Sequence, residues 1–188
     1  MASIEKGNAT MKPKDGQGDA RVNPEMPLAI VALGANLGDT KRTLRRAALT
    51  MRAMAGGRFA AASLWRSEPV DCPPGSPSFL NSAVAFRTRL GPEALLLELQ
   101  CLEAVAGRTR GEANAPRTLD LDLIDYQHMV LRTDFLTLPH PRAATRAFVL
   151  APLVELDPDL VLPGAAGSVS ALLQSTDKSG LSRVGSLT

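Results

Sequence analysis

The stretch Pro116-Arg117-Thr118-Leu119-Asp120-Leu121-Asp122-Leu123 decides how this chain is read. From 119 to 123 leucine and aspartate alternate strictly, the period of a β-strand, so the leucines share one face and the carboxylates the other. Side chains two apart on a strand stand roughly 6–7 Å from each other at a rise of about 3.3 Å per residue. Two carboxylates that close repel unless a cation lies between them. Oxygen ligands at this spacing suit Mg²⁺, which takes one or two carboxylates and completes its shell with phosphate oxygens. Asp-x-Asp is also short and common, and a half-buried strand with a merely wet polar face carries it too.

Working outward, Leu28-Ala29-Ile30-Val31-Ala32-Leu33 is a continuous apolar run and predicts a central strand. Asp39 or Thr40 caps a helix to about Met54, with Leu44, Ala47, Ala48 and Met51 on one face and Arg42, Arg45 and Arg46 mostly outward. Gly56-Gly57 ends it, and a second strand follows over about 58–66. Pro69, Pro73, Pro74, Gly75 and Pro77 make 67–78 an irregular loop. Phe79–Leu90 alternates as a strand, and Gly91-Pro92-Glu93 opens a helix that runs to about Ala106 and stops at Gly107. A polar loop, 108–115, delivers the aspartate strand. The order β-α-β-β-α-β predicts an α+β, ferredoxin-like core with its first and third strands adjacent at the sheet centre. Extra C-terminal strands and helices, about 126–175, are expected on the sheet edge.

A chain of 188 residues, 45% hydrophobic and 21% charged, fits one globular domain. Residues 1–26 are polar and predict a disordered extension; 27–175 form the folded domain; 176–188 are Ser- and Gly-rich and predict a flexible tail. No apolar run approaches the roughly 20 residues of a membrane span, and no signal-peptide core is evident, so a cytoplasmic protein without membrane partners is expected. Cys72 and Cys101 lack metal-type spacing. A net charge of +2 does not by itself imply a nucleic-acid partner. Between Pro27 and Ser175 the only lysine is Lys41, and arginine supplies every other cation. Arginine's planar fork grips phosphate bidentately, although a GC-rich genome would produce the same bias.

Arg108, Arg110 and Arg117 surround the loop before the aspartate strand, and His140, Arg142 and Arg146 follow it. Carboxylates for a metal, with arginines and a histidine, are the components of phosphoryl transfer, where catalysis is mostly positioning and charge neutralisation. Singly, each arginine is equally an ordinary surface cation and His140 a structural histidine; the clustering is what argues for a polyphosphate. Phe79 and Asn81 lie two apart on one strand face, where a ring can stack on a flat heterocycle and a carboxamide can bond its edge. A core phenylalanine and an edge asparagine would look the same. Gly34-Ala35-Asn36-Leu37-Gly38-Asp39-Thr40-Lys41 lacks phosphate-loop spacing and reads as a turn and helix start.

Taken together, Leu33-Gly34-Ala35-Asn36-Leu37-Gly38, Phe79-Leu80-Asn81-Ser82-Ala83-Val84, Gly107-Arg108-Thr109-Arg110, Pro116–Asp122, Pro139-His140-Pro141-Arg142 and Arg146-Ala147-Phe148-Val149-Leu150 resemble the 6-hydroxymethyl-7,8-dihydropterin pyrophosphokinases of folate biosynthesis over about 28–164. The resemblance implies transfer of pyrophosphate from ATP to the pterin hydroxymethyl group with release of AMP, by a monomer that binds only these small molecules.

By the same resemblance Asp120 and Asp122 hold two Mg²⁺ ions and, with Arg108 and Arg110, form the catalytic set, Arg110 lying on a mobile loop. Arg108, Arg117, His140 and Arg146 match ATP-contacting positions, and Gln100 and Glu103 match the helix beside the nucleotide. Asn81 matches the reader of the pterin edge, Phe79 and Phe148 the rings that sandwich it, and Ser67, Glu68 and Val70 the rest of that pocket. Two positions depart from the pattern: Asn114-Ala115 stands where many members carry tryptophan, in a loop one residue shorter, and Glu68 stands where many carry proline. A sugar-nucleotide or nucleotidyl transferase would use the same aspartates and arginines but not Phe79 and Asn81. A non-catalytic RNA-binding module of this fold would call for exposed aromatics, and aromatics are 4% of the chain.

Overall fold

A computed structural model describes residues 26–108 and 115–188. Most of the N-terminal extension, together with Arg110 and Asn114, lies outside the described residues. The first strand, β1 (Leu28–Ala35), feeds α1 (Thr40–Met54), whose first turn is closed by the Asp39 carboxylate accepting from the Arg42 N–H at 3.1 Å. Leu44, Ala47, Ala48 and Met51 are the buried face of α1, as their spacing predicts. The region expected to be one strand over 58–66 divides into β2 (Phe59–Ala61) and β3 (Ser63–Ser67). Both pair with β4 (Phe79–Arg87), but the register moves by one residue between them, so one extra residue is accommodated near Ala62 as in a β-bulge. Then come α2 (Pro92–Val105) and the aspartate strand β5 (Asp120–Tyr126).

The main sheet runs β5-β1-β4-β3 and continues to β8 (Ser182–Ser186), with β1 antiparallel to both of its neighbours. Alternation along β1 serves two cores. Ala29, Val31, Leu33 and Ala35 meet the buried faces of α1 and α2, while Ile30 and Ala32 meet the other layer. That second layer is α3 (Ala147–Leu156), entered through a 3₁₀ turn at Ala143–Thr145, with α4 (Val169–Ser175) packed on it. A two-stranded ladder, β6 (Leu131–Arg132) and β7 (Thr137–Leu138), precedes it.

Two expectations change in detail. The C-terminal elements divide between edge and face: β8 extends the sheet edge, whereas Leu150 and Leu153 of α3 fill the second core. The tail expected to be flexible is a strand paired with β3, followed by Leu187, which is 1% exposed. Serine and glycine are poor strand formers, but a free sheet edge supplies backbone partners to any sequence, and one buried leucine pins the end. Among the described residues no helix is long and apolar enough to cross a membrane.

At the far end of β5, Asp125 is buried at 2% exposure, with Oδ2 accepting the His128 N–H at 3.1 Å and Oδ1 lacking a partner. Burial raises its pKa above the ordinary carboxylate value, against smaller lowering effects from the His128 backbone and ring. A carboxyl whose folded pKa is raised stabilises fully below its unfolded pKa, and that contribution is lost as pH rises through the folded value. Asp125→Asn keeps the acceptor for His128 and cannot ionise. Its melting temperature should exceed the parent's at pH 7, and the gap should close as calorimetric scans are taken to pH values below the ordinary aspartate range; a gap that widens on acidification would refute the assignment.

Candidate functional site

Cross-strand register brings the chemistry together. Gly34 at the end of β1 pairs with Asn81 on one side and Asp120 on the other, so a carboxamide and a carboxylate flank a single glycine. A β-carbon at Gly34 would lie 3.5 Å from Asn81 Oδ1, 3.8 Å from the Asp120 β-carbon and 4.0 Å from the Phe79 ring. Alanine would just fit there; anything larger would fill the floor of the cleft. The walls of this cleft include Ser67, Glu68, Val70, Phe79, Asn81 and Phe148 on one side, and Arg117, Asp120, Asp122 and Arg146 on the other.

On the first side the Asn81 amide donates to Ser67 Oγ at 2.9 Å, and both residues are buried. That bond fixes the carboxamide and ties the end of β3 to β4. Each of the two rings carries a guanidinium: Arg117 lies over Phe79 and Arg146 over Phe148, both at 5.5 Å from the ring centroid. Burial, and then the neighbouring Arg142, lower the Arg146 pKa, against the raising effect of the Asp122 and Asp71 charges.

On the second side Asp120 is held by two arginines, Arg108 Nη1 at 2.6 Å and Arg117 Nε at 3.2 Å. The Arg117 Nε–H is buried and makes no hydrogen bond, so its attraction to Asp120 is Coulombic and a donor is left over. Among the described residues, no arginine grips Asp122 in this way. Burial raises its pKa first, the Asp120 charge second, and its nearest cation-forming group is His140 Nε2 at 3.9 Å. His140 accepts the Arg142 N–H on Nδ1 at 3.3 Å, and burial lowers its pKa, so the ring is held neutral with its proton on Nε2. The strand face therefore carries one neutralised and one under-compensated carboxylate. A dication answers that imbalance. Among the described residues there is no group of three or more metal-ligating side chains, so the donor set fits a hard ion completed by ligand oxygens, as Mg²⁺ is.

Behind the cleft stands Glu103, which continues the buried stripe Leu95–Leu99 of α2. Its carboxylate accepts the Leu121 N–H at 2.7 Å and pairs with Arg108, and burial raises its pKa. Glu103 thus ties α2 to β5 and pairs with Arg108, which in turn meets Asp120. Gln100 is half-buried on the same helix, away from the cleft-lining set. Asn36, read in the sequence as a turn residue, organises the site from beneath. Its Oδ1 accepts the Arg117 N–H at 2.7 Å, and its amide donates to the Pro77 carbonyl at 3.2 Å. Its burial at 5% exposure in a polar turn is the mark of that role, but partners 81 and 41 residues away leave no local signal.

The profile of the 7,8-dihydro-6-hydroxymethylpterin-pyrophosphokinase family matches residues 30–158. The 2-amino-4-hydroxy-6-hydroxymethyldihydropteridine pyrophosphokinase of Synechocystis sp. is 38% identical over 149 residues, covering 79% of this chain and 76% of that protein. The Methylorubrum extorquens protein of the same name is 38% identical over 163 residues, 85% of this chain and 99% of that protein. A solved HPPK-DHPS structure in complex with substrates superposes with a TM-score of 0.68 at 12% identity, a likeness of fold alone, over 85% of this chain. The chain spans 46% of that two-part protein and 30% of the bifunctional folate synthesis protein of Pisum sativum. The matched segment holds both sides of the cleft, Asn81 with its rings and Asp120 with its arginines, and the chain belongs to the 7,8-dihydro-6-hydroxymethylpterin-pyrophosphokinase family.

Proposed function

We propose that the family's reaction, pyrophosphate transfer from ATP to 6-hydroxymethyl-7,8-dihydropterin, takes place in this cleft, with the pterin between Phe79 and Phe148 and the triphosphate over Asp120 and Asp122. The observation that carries the reading is the row Asn81–Gly34–Asp120: one glycine's width separates the group suited to a heterocycle edge from the group suited to a metal. The hydroxymethyl oxygen attacks the β-phosphorus, the bond to the α,β-bridging oxygen breaks, AMP leaves with that oxygen, and the hydroxyl proton is released. Asp120 and Asp122 would hold Mg²⁺, one ion or two, and the metal would supply Lewis-acid neutralisation of the phosphate oxygens.

The chain's own residues do the rest. Ser67 holds the Asn81 amide at a fixed angle, which leaves Oδ1 to accept from the pterin. Arg117 and Arg146 carry the charge that a triphosphate would draw off the two rings, and the spare Nε–H of Arg117 finds its acceptor there. His140 presents its Nε2–H as a neutral donor. Asn81 and His140 are held in place by their own hydrogen bonds, so little reorganisation of these two groups opposes the transition state. Product analysis tests the reading: Mg²⁺-dependent formation of AMP and pterin diphosphate in equal amounts supports it, and ADP with a pterin monophosphate would replace it with an ordinary kinase.

The two aspartates should separate in their variants. Asp122→Ala and Asp120→Ala should each lower kcat by about 10²–10³-fold, the scale of losing one electrostatic stabiliser. Asp122→Ala should leave the melting temperature unchanged or raised, because it removes a desolvated charge beside a like charge; Asp120→Ala should lower it, because Arg108 and Arg117 lose their partner. Near-normal turnover in a folded Asp122→Ala protein would sink the metal assignment.

For the pterin side, Asn81→Leu keeps the volume and deletes the hydrogen bonds. Pterin affinity should fall roughly 10- to 100-fold, the cost of leaving buried polar groups unpaired, with affinity for an ATP analogue nearly unchanged in the same calorimetric series. Loss of ATP analogue binding with pterin binding intact would reverse the two subsites.

A further inference from the structure

The family match ends at residue 158, yet the sheet does not. β8 runs antiparallel along β3, from Ser63 opposite Ser186 to Arg66 opposite Ser182. Every side chain of β8 is exposed, so the strand is not held by burial of its own faces. It is held by specific ties. Arg45 of α1 donates to the Leu187 carbonyl at 3.2 Å and the Ser186 carbonyl at 3.3 Å, and the Leu187 side chain is in the first core. Arg183 donates to Ser63 Oγ at 2.7 Å and meets Glu155 of α3 at 3.3 Å. The same Glu155 accepts the Ser63 N–H at 2.7 Å and the Trp65 Nε1–H at 3.0 Å.

The turn that leads into β8 touches the cleft. Gly180 has a φ of +71°, and a β-carbon there would lie 2.7 Å from Glu68 Cγ, 3.5 Å from its Cβ and 3.8 Å from its N. Glycine adopts this left-handed conformation without the cost a β-carbon brings, and a β-carbon there would press on the Glu68 side chain. Glu68 follows Ser67, the last residue of β3, and Ser67 Oγ is the acceptor that fixes the Asn81 amide. Contact therefore runs from Gly180 to Glu68, to Ser67, to Asn81. Glu68 is also the position where the resemblance is broken by loss of a proline; a proline would have stiffened the chain unaided, whereas here a packed neighbour does it.

We propose that Gly180 and the strand it introduces are positioning elements for the pterin: β8 clamps the outer edge of β3 and Gly180 seats Glu68, so that the Ser67–Asn81 bond is already formed when the pterin binds. The proposal rests on the pterin reading of the Phe79–Asn81 face. Its role is confined to that side, because nothing in β8 or its turn lies among the residues around Asp120 and Asp122.

The test is calorimetric binding of a hydroxymethylpterin and of a non-hydrolysable ATP analogue with Mg²⁺, on the full chain and on Gly180→Ala, Gly180→Ala with Glu68→Ala, and Glu68→Ala. Gly180→Ala should weaken the pterin by about 10-fold, the scale of forcing a side chain into a left-handed conformation, and change the ATP analogue by less than about 2-fold. Removing the opposing Glu68 side chain should recover part of the loss, so the double variant should fall short of the product of the two single effects. Unchanged pterin affinity in Gly180→Ala, or equal weakening of both ligands, overturns the proposal. Absence of pterin binding by the unaltered protein would instead overturn the underlying reading of the cleft.

Discussion

Two carboxylates on one face of one strand are an electrostatic problem, and most of the site is an answer to it. Asp120 is solved internally, by Arg108 and Arg117. Those arginines are in turn fixed, Arg108 by Glu103 on α2 and the Arg117 backbone by Asn36 at the end of β1. Asp122 is left unsolved, with its pKa pushed up by burial and by its neighbour. A protein optimised for stability alone would not keep that charge, so its retention marks where a cationic ligand belongs. Asp120 is thus compensated by guanidiniums, and Asp122 is the carboxylate that a metal would compensate.

The same economy governs the two rings. Arg117 and Arg146 lie over the rings of Phe79 and Phe148, so the cations proposed to bind phosphate touch the rings proposed to stack on a heterocycle. Cation–π contacts of this kind are worth about 0.5–2 kcal/mol, little enough for a triphosphate to displace. On the proposed assignment, the nucleotide and pterin sides meet at these arginines, with only Gly34 between Asn81 and Asp120.

Much of this was legible in the chain. Strict Leu/Asp alternation placed Asp120 and Asp122 opposite Leu121 and Leu123, and the same period put Phe79 and Asn81 on one common face of their strand. What alternation cannot tell is register, and register is what sets Asn81 and Asp120 against Gly34. The role of Glu103 had a readable signal, a carboxylate continuing the Leu95–Leu99 stripe, which marks a buried charge with a dedicated partner. Asn36 had none, since its bonds reach far along the chain. Nor did β8: Ser-Arg-Val-Gly-Ser has no apolar alternation, and it pairs with the edge of β3 through ties that reach far along the chain.

The central claim is that Asp120 and Asp122 become a metal site only when a polyphosphate takes over the arginines. Electron paramagnetic resonance of Mn²⁺ tests it directly, by counting ions retained by the protein with and without a non-hydrolysable ATP analogue, beyond those the free nucleotide holds. The account predicts weak retention by the protein alone, tight retention with the analogue, and loss of that gain in both Asp120→Asn and Asp122→Asn. Equally tight Mn²⁺ binding without nucleotide, or a gain that survives in either variant, would contradict it.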